Sequence, residues 1–398
     1  MKKAFLAFAA AAALVLAGCD KQATQVTATV TVDASGIEAG APVPDSFKVT
    51  LSNTSTTEVF TAQTENNSAT FTVTPGIYTV LVEGSAATEG NAYTYSGNGR
   101  MVAMADEAAG STIAVTATKA AALIFKEVFY SGHFDWYFRD QYYEIYNNSD
   151  QTVYADGLCI ADLDMYNFEG TPIEYDIPDA GNYLFSQFVW QVPGDGDDYP
   201  VAPGESIVIA QWATNHATDD LGGELGKDLS GAEFEGIEGE STLWNGTVIT
   251  DNPAVNMIKY ASAYTMPQWL TAVGGAGLVM FFPTKDMDGT ALTYEVGSDS
   301  IYGAALAIPV SCIVDAINTC SDAASATLSN MPMSLDAGYV FCSANYSNES
   351  IVRKVAETKE DGRVVYQDTN NSLSDFEVST EPQIRRGGAG TPSWNTWK

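Results

Sequence analysis

Apolar and polar residues alternate with period two from Val26 to Val32, the pattern of a strand with one buried face. Short runs of the same texture follow at residues 47–51, 57–61, 69–73, 75–84 and 113–117, separated by polar and Gly-rich turns. Many short strands at this spacing predict a small β-sandwich over residues 25–120. From residue 121 the texture changes. Residues 122–130 form an almost unbroken apolar stretch, residues 142–153 run from Tyr142-Tyr143-Glu144-Ile145-Tyr146 into Asn147-Asn148-Ser149-Asp150, and residues 156–161 close the unit. Asn, Ser and Asp side chains bond their own backbone and tolerate left-handed geometry, so that cluster predicts a turn between two strands.

At the start of the chain Met1-Lys2-Lys3 is basic and Ala4 to Leu16 is apolar without charge, too short to span a bilayer comfortably as a permanent helix. Leu16-Ala17-Gly18-Cys19 resembles the bacterial lipobox. The resemblance implies a signal peptide over 1–18, cleavage before Cys19, lipid on its sulfur and new amino group, and a short tether over 19–24. Two or more acyl chains hold a protein stably on a membrane where one does not.

Two further resemblances follow from the strands. Pro75-Gly76-Ile77-Tyr78-Thr79-Val80-Leu81-Val82-Glu83-Gly84 is similar to the strand pair of transthyretin-like or collagen-adhesin-B-like modules, which implies a stalk. Ile124, Glu127-Val128, Glu144-Ile145-Tyr146-Asn147-Asn148-Ser149-Asp150, the Pro203-Gly204 turn into Ile207-Val208-Ile209-Ala210, and Asp368-Thr369-Asn370-Asn371-Ser372 running to Asp375-Phe376 resemble a lamin-tail-like domain. That likeness implies an immunoglobulin-type β-sandwich over 121–393. Residues 211–350 exceed what such a sandwich needs and imply a large mixed insertion. The layout also resembles a family of Bacteroides-type surface lipoproteins, which implies work beside outer-membrane receptors in nutrient capture.

Composition narrows the class. Hydrophobic residues make up 45% and charged residues 17% of 398, which is globular rather than disordered. Lys and Arg number 18 against 50 Asp and Glu, a formal net charge of −32. Such a surface repels nucleic acid and anionic headgroups, so no nucleic-acid partner is expected. Besides Cys19, four cysteines remain: Cys159, Cys312, Cys320 and Cys342. An even count in an oxidising compartment suggests two disulfides. A straight helix would hold Cys312 and Cys320 about 12 Å apart, beyond disulfide reach. A strand end, one helical turn and a return would let them meet. Cys312–Cys320 with Cys159–Cys342 is the favoured pairing, and reduced, buried thiols are the alternative.

Candidate chemistry is sparse. Two histidines, His133 and His216, offer a nucleophile triad or a metal site little to draw on. Asp286 and Asp288 place oxygens at alternate positions as calcium loops do, but Ala291 stands at the next ligand position, and Asx turns use the same residues. Asp195-Gly196-Asp197-Asp198 has the same ambiguity. The remaining signal is aromatic: Phe134, Trp136, Tyr137 and Phe138 lie between two strands, where rings serve either a sheet core or a ligand or partner site. The segment Trp394-Asn395-Thr396-Trp397, after Arg385-Arg386-Gly387-Gly388, is expected to dock on the domain or on a partner. The expectation is a membrane-anchored binding lipoprotein without a catalytic residue, accessory to an outer-membrane receptor or surface protein. The alternatives are a structural adhesin and an exported hydrolase, the latter needing convergent carboxylates of unequal pKa within 121–380.

Overall fold

The computed structural model describes residues 25–37, 41–88, 91–119, 121–134, 136–163, 179–218, 222–242, 248–262, 269, 271–285, 287, 294–295, 304–328 and 331–398. Among them the protein is almost entirely β, its one α-helix being the single turn Ser372–Asp375. No described helix is long and apolar enough to cross a membrane.

The alternating run becomes the strand Val26–Asp33, central in a three-stranded sheet between Ser68–Val73 and Ala109–Ala114. A five-stranded sheet packs on it, in the order Val59–Gln63, Lys48–Asn53, Gly76–Thr88, Asn91–Ala103, Thr116–Lys119. Val26, Ala28, Val30 and Val32 face Val49, Leu51, Tyr78, Val80 and Val82 in one core. Burying one such valine or leucine completely contributes about 1.5–3 kcal/mol. Close approach needs Gly97, because a Cβ there would stand 2.3 Å from the Ala114 carbonyl oxygen.

From Leu123 onward a seven-stranded sheet forms, in the order Val255–Asn256, Phe234–Glu235, Ser206–Ala210, Tyr142–Asn147, Leu123–Phe129, Ser350–Arg353, Phe376–Ser379. A five-stranded sheet lies against it, in the order Ile258–Ser262, Phe188–Gln191, Cys159–Asp162, Gly277–Phe281, Ile313–Asn318. Phe125, Tyr143, Ile145, Ile207 and Ile209 meet Ile160, Trp190, Leu278, Met280 and Ile317 between them. The outer face of the five-stranded sheet is covered in turn by Leu184, Leu306 and Ile308 from a third, smaller sheet. Among the described residues the expected mixed insertion over 211–350 is mostly β, with short 3-10 turns. Its strands complete the five-stranded sheet and extend the seven-stranded one.

Arg353 ties the layers together. Its guanidinium reaches Asp315 Oδ2 at 2.7 Å, Asp368 Oδ1 at 3.1 Å and Asp375 Oδ2 at 3.8 Å, and its Nε donates to the Phe125 carbonyl at 2.7 Å. The residues following Asp368 have a local reason. Asn371 caps the helical turn through Ser374 N–H, and the Asp375 carboxylate accepts from Thr369 N–H and Oγ1 and from Asn371 N–H.

The expected disulfides are corrected: Cys159, Cys312, Cys320 and Cys342 are all free thiols. The strand Ile313–Asn318 separates Cys312 from Cys320. Six residues at about 3.3 Å each put them roughly 20 Å apart, beyond disulfide reach. Cys159 packs on the outer face of its sheet with Ala161, while Cys342 packs in the core on the other face with Ile160. Burial raises all four thiols, Cys342 to about 12 and Cys312 and Cys320 to about 11.

Candidate functional site

The strand Leu123–Phe129 leaves the sheet into a tight loop. Gly132 opens it at φ 66°, and a Cβ there would stand 2.4 Å from the Tyr137 carbonyl oxygen. His133 and Tyr137 close it as a bridge: His133 N–H donates to Tyr137 O at 2.8 Å and Tyr137 N–H to His133 O at 3.3 Å. The bridge points residues 133 and 137 inward and the tip outward. Phe134 is 70% and Trp136 77% exposed, whereas Tyr137 is buried and Phe138 half-buried. The four aromatic candidates thus divide, and only Phe134 and Trp136 form a surface.

Trp136 packs against Tyr346, ring centroids 5.1 Å apart and planes 55° from each other. Both residues hold left-handed backbone, φ 64° and 59°. Bulky side chains rarely adopt it, and such strain concentrates at functional sites. Tyr346 is placed by its N–H on Ser131 O at 2.7 Å, and Asn348 by its N–H on Gly132 O at 2.9 Å.

The base beneath the tip is polar and buried. Tyr137 Oη meets His216 Nδ1 at 2.5 Å, and His216 Nε2 meets Trp212 O at 2.9 Å. A carbonyl only accepts, so Nε2 carries a proton. His133 Nε2 lies 3.4 Å from Asp140 Oδ2, which also receives the Lys227 N–H at 3.3 Å. Lys227 Nζ donates to Asn348 Oδ1 at 2.6 Å; burial lowers its pKa while Asp140 pulls it back up. Both histidines of the chain thus flank Tyr137, with ring centroids at 5.0 and 5.7 Å. Sequence reading separated them, because His216 follows Tyr137 by 79 positions, and it missed Tyr346 altogether. The shared signal was only that the chain owns two histidines.

No group of three or more His, Cys, Asp or Glu placed to hold a metal occurs among the described residues. Asp286 and Asp288, the calcium candidates, lie outside them, as does Cys19. Around Asp195–Asp198 the organising group is Asp156, whose carboxylate accepts from the N–H groups of Gly196, Asp198 and Tyr199. Asp198 Oδ2 accepts from Asp195 N–H at 3.0 Å, so these carboxylates serve to hold the loop backbone.

No curated protein matches the chain. The family model described as "Protein of unknown function (DUF4876)" matches residues 202–383. A crystal structure of a DUF4876 family protein from Bacteroides thetaiotaomicron VPI-5482 is 33% identical, with 93% of this chain and 99% of that chain covered and a TM-score of 0.59. A candidate adhesin from Bacteroides ovatus ATCC 8483 shares 9% identity over 83% of this chain and 98% of that one, at a TM-score of 0.19 that carries no argument. On the identity and coverage of the first of these, the chain belongs to the DUF4876 family.

Proposed function

We propose that this protein is a lipid-anchored lipoprotein of the outer membrane that binds a partner protein through the tip formed by Phe134 and Trp136. The observation that carries the reading is the pairing of two large, mostly exposed rings with a buried, hydrogen-bonded base. Exposed aromatic rings supply contact area at little entropic cost, and such rings dominate interface energetics. Phe134 and Trp136 stand mostly in solvent, whereas small-molecule sites are concave. That favours insertion into a partner's groove over capture of a free ligand, and an outer-membrane receptor or neighbouring surface protein is the partner class in view. The β-sandwich over 25–120 serves as stalk, and the lamin-tail-like unit over 121–393 presents the tip.

Phe134→Ala with Trp136→Ala should abolish cross-linking of the anchored protein to its partner in native membranes, while the melting temperature moves by less than about 2 °C. Partner contact that survives in a folded double variant would overturn the reading. The anchor is tested separately: Cys19→Ala should shift the protein from the detergent-soluble membrane fraction to the soluble fraction. Unchanged membrane partitioning would remove the lipoprotein half of the proposal.

A further inference from the structure

The first sandwich has two ends, and strand register tells them apart. Val26 pairs with Val73, Ala28 with Ala109 and Gly76 with Ala103, so the described chain enters beside the turn at residues 104–108. It leaves at the other end. Lys119 pairs with Tyr93, near the start of the strand Asn91–Ala103 and roughly 30 Å along it from Ala103. At the entry end the outer face of the five-stranded sheet is apolar. Tyr78, Met101 and Ala103 point into the core, so alternation turns Ile77, Val102 and Met104 outward, where they are 37%, 57% and 55% exposed. Ile77 and Val102 are cross-strand partners, and Met104 stands two residues further along the same face. Apolar residues scattered singly on a surface carry no meaning, but these three are neighbours. Arg100, exposed on the same face two residues before Val102, holds no ion pair among the described residues. Asp106 and Glu107 are exposed in the turn that follows Met104.

We propose that Ile77, Val102 and Met104 dip into a zwitterionic phospholipid bilayer and hold the first sandwich against the membrane. The inference rests on the lipid anchor at Cys19 proposed above. Residues 20–25 extend at most about 20 Å, so an acylated Cys19 keeps the entry end of the sandwich, and the patch with it, at the headgroups. Three apolar side chains bind a bilayer weakly alone; tethered there, they meet it at high effective concentration. The charges around them select the headgroup. Arg100 lays its stem along the apolar face and offers its guanidinium to a phosphate. Asp106 and Glu107 suit the ammonium of a zwitterionic headgroup and oppose an anionic one. The contact sets the tilt of the stalk, which a short tether alone leaves free.

The test is amide hydrogen exchange, read by mass spectrometry, on the acylated full chain in vesicles of phosphatidylethanolamine and phosphatidylcholine. Residues 104–108 should exchange about tenfold more slowly than in the unanchored Cys19→Ala chain in solution. A variant carrying Ile77→Ser, Val102→Ser and Met104→Ser should still float with the vesicles and lose that slowing. The turn at residues 65–68, which register places at the opposite end, should exchange alike in all three. Equal exchange at 104–108 in a floating chain and in the unanchored one overturns the contact and leaves the anchor standing; this comparison needs no surface variant. A chain that carries no acyl group, or does not float, overturns the anchor and the contact together. Phosphatidylglycerol in place of part of the phosphatidylcholine should reduce the slowing, and an increase overturns the choice of headgroup. Slowing that rises with the number of chains per vesicle marks a second copy as the occupant and overturns the bilayer.

Discussion

Arg353→Met should cost about 3–5 kcal/mol of stability at pH 8 and far less at pH 5, because it strands buried carboxylates that only a proton can then neutralise. Asp315, Asp368 and Asp375 converge on this one guanidinium, and Asp315 and Arg353 are 6% and 2% exposed. Burial pushes Asp315 up from 3.8 to about 7 and Asp375 from 3.8 to about 6, with Arg353 pulling against both. A carboxyl whose pKa is raised by folding binds its proton more tightly in the native state. Its contribution is complete below its unfolded value near 3.8 and is lost as pH rises through about 6 to 7. The unaltered protein should therefore melt at a higher temperature at pH 5 than at pH 8. Without the guanidinium both carboxyls move further up, so the deficit widens above pH 7 and closes as they protonate. Denaturant midpoints at pH 5, 6.5 and 8 measure this directly. An equal loss at all three would show that the packing of Arg353, whose guanidinium carbon lies 4.5 Å from the Phe376 ring centroid, matters more than its pairing with the carboxylates.

That network was hidden from sequence reading for a physical reason. Asp315 and Arg353 lie 38 residues apart, on strands of different sheets, and each alone looks like a solvated charge. The first sandwich was far more legible. Its strand Val26–Asp33 has one wet face, so the burial pattern follows the Val/Thr alternation residue by residue. The strand Leu123–Phe129 is buried on both faces, which erases alternation and leaves only an apolar run interrupted by Lys126 and Glu127. Residues 211–350 looked like an insertion because their strands are short and pair with distant partners, as Gly277–Phe281 does with Cys159–Asp162. In the candidate site the aromatic cluster was visible but its division was not. One bridge, His133 to Tyr137, decides which rings face water, and no local pattern announces it. The cysteines failed similarly: their pairing was argued from a return that the continuous strand Ile313–Asn318 does not make.

Lys126→Met alone should destabilise the fold by about 3–5 kcal/mol, and adding Glu144→Gln should recover most of that loss. The pairing between the Leu123–Phe129 and Tyr142–Asn147 strands shifts register opposite Glu144 and Ile145, leaving Lys126 as the extra residue. This bulge turns Lys126 and Glu127 in succession toward the face of Ile124, where alternation from Leu123 and Phe125 would have sent Glu127 into the apolar core. Lys126 Nζ then meets Glu144 Oε1 at 2.8 Å with both side chains 0% exposed. Burial lowers the lysine pKa, and the Glu144 carboxylate pulls it back up. Glu144 also accepts from Ser206 Oγ at 2.6 Å and Arg385 N–H at 3.0 Å, while neighbouring Glu127 already holds Tyr142, Ser350, Gln383 and Arg386. Methionine matches the lysine stem but brings no charge, so the single change leaves a buried carboxylate with only neutral donors. Glutamine keeps one acceptor for Arg385 N–H, turns an amide N–H donor toward the Ser206 hydroxyl, which can accept, and removes the charge, which is why the double variant should stand close to the parent. Chemical denaturation of the two single variants and the double gives the coupling energy. A double variant no more stable than Lys126→Met would mean that the stranded Glu144 carboxylate is not the source of the loss. The bulge would then serve packing rather than the ion pair.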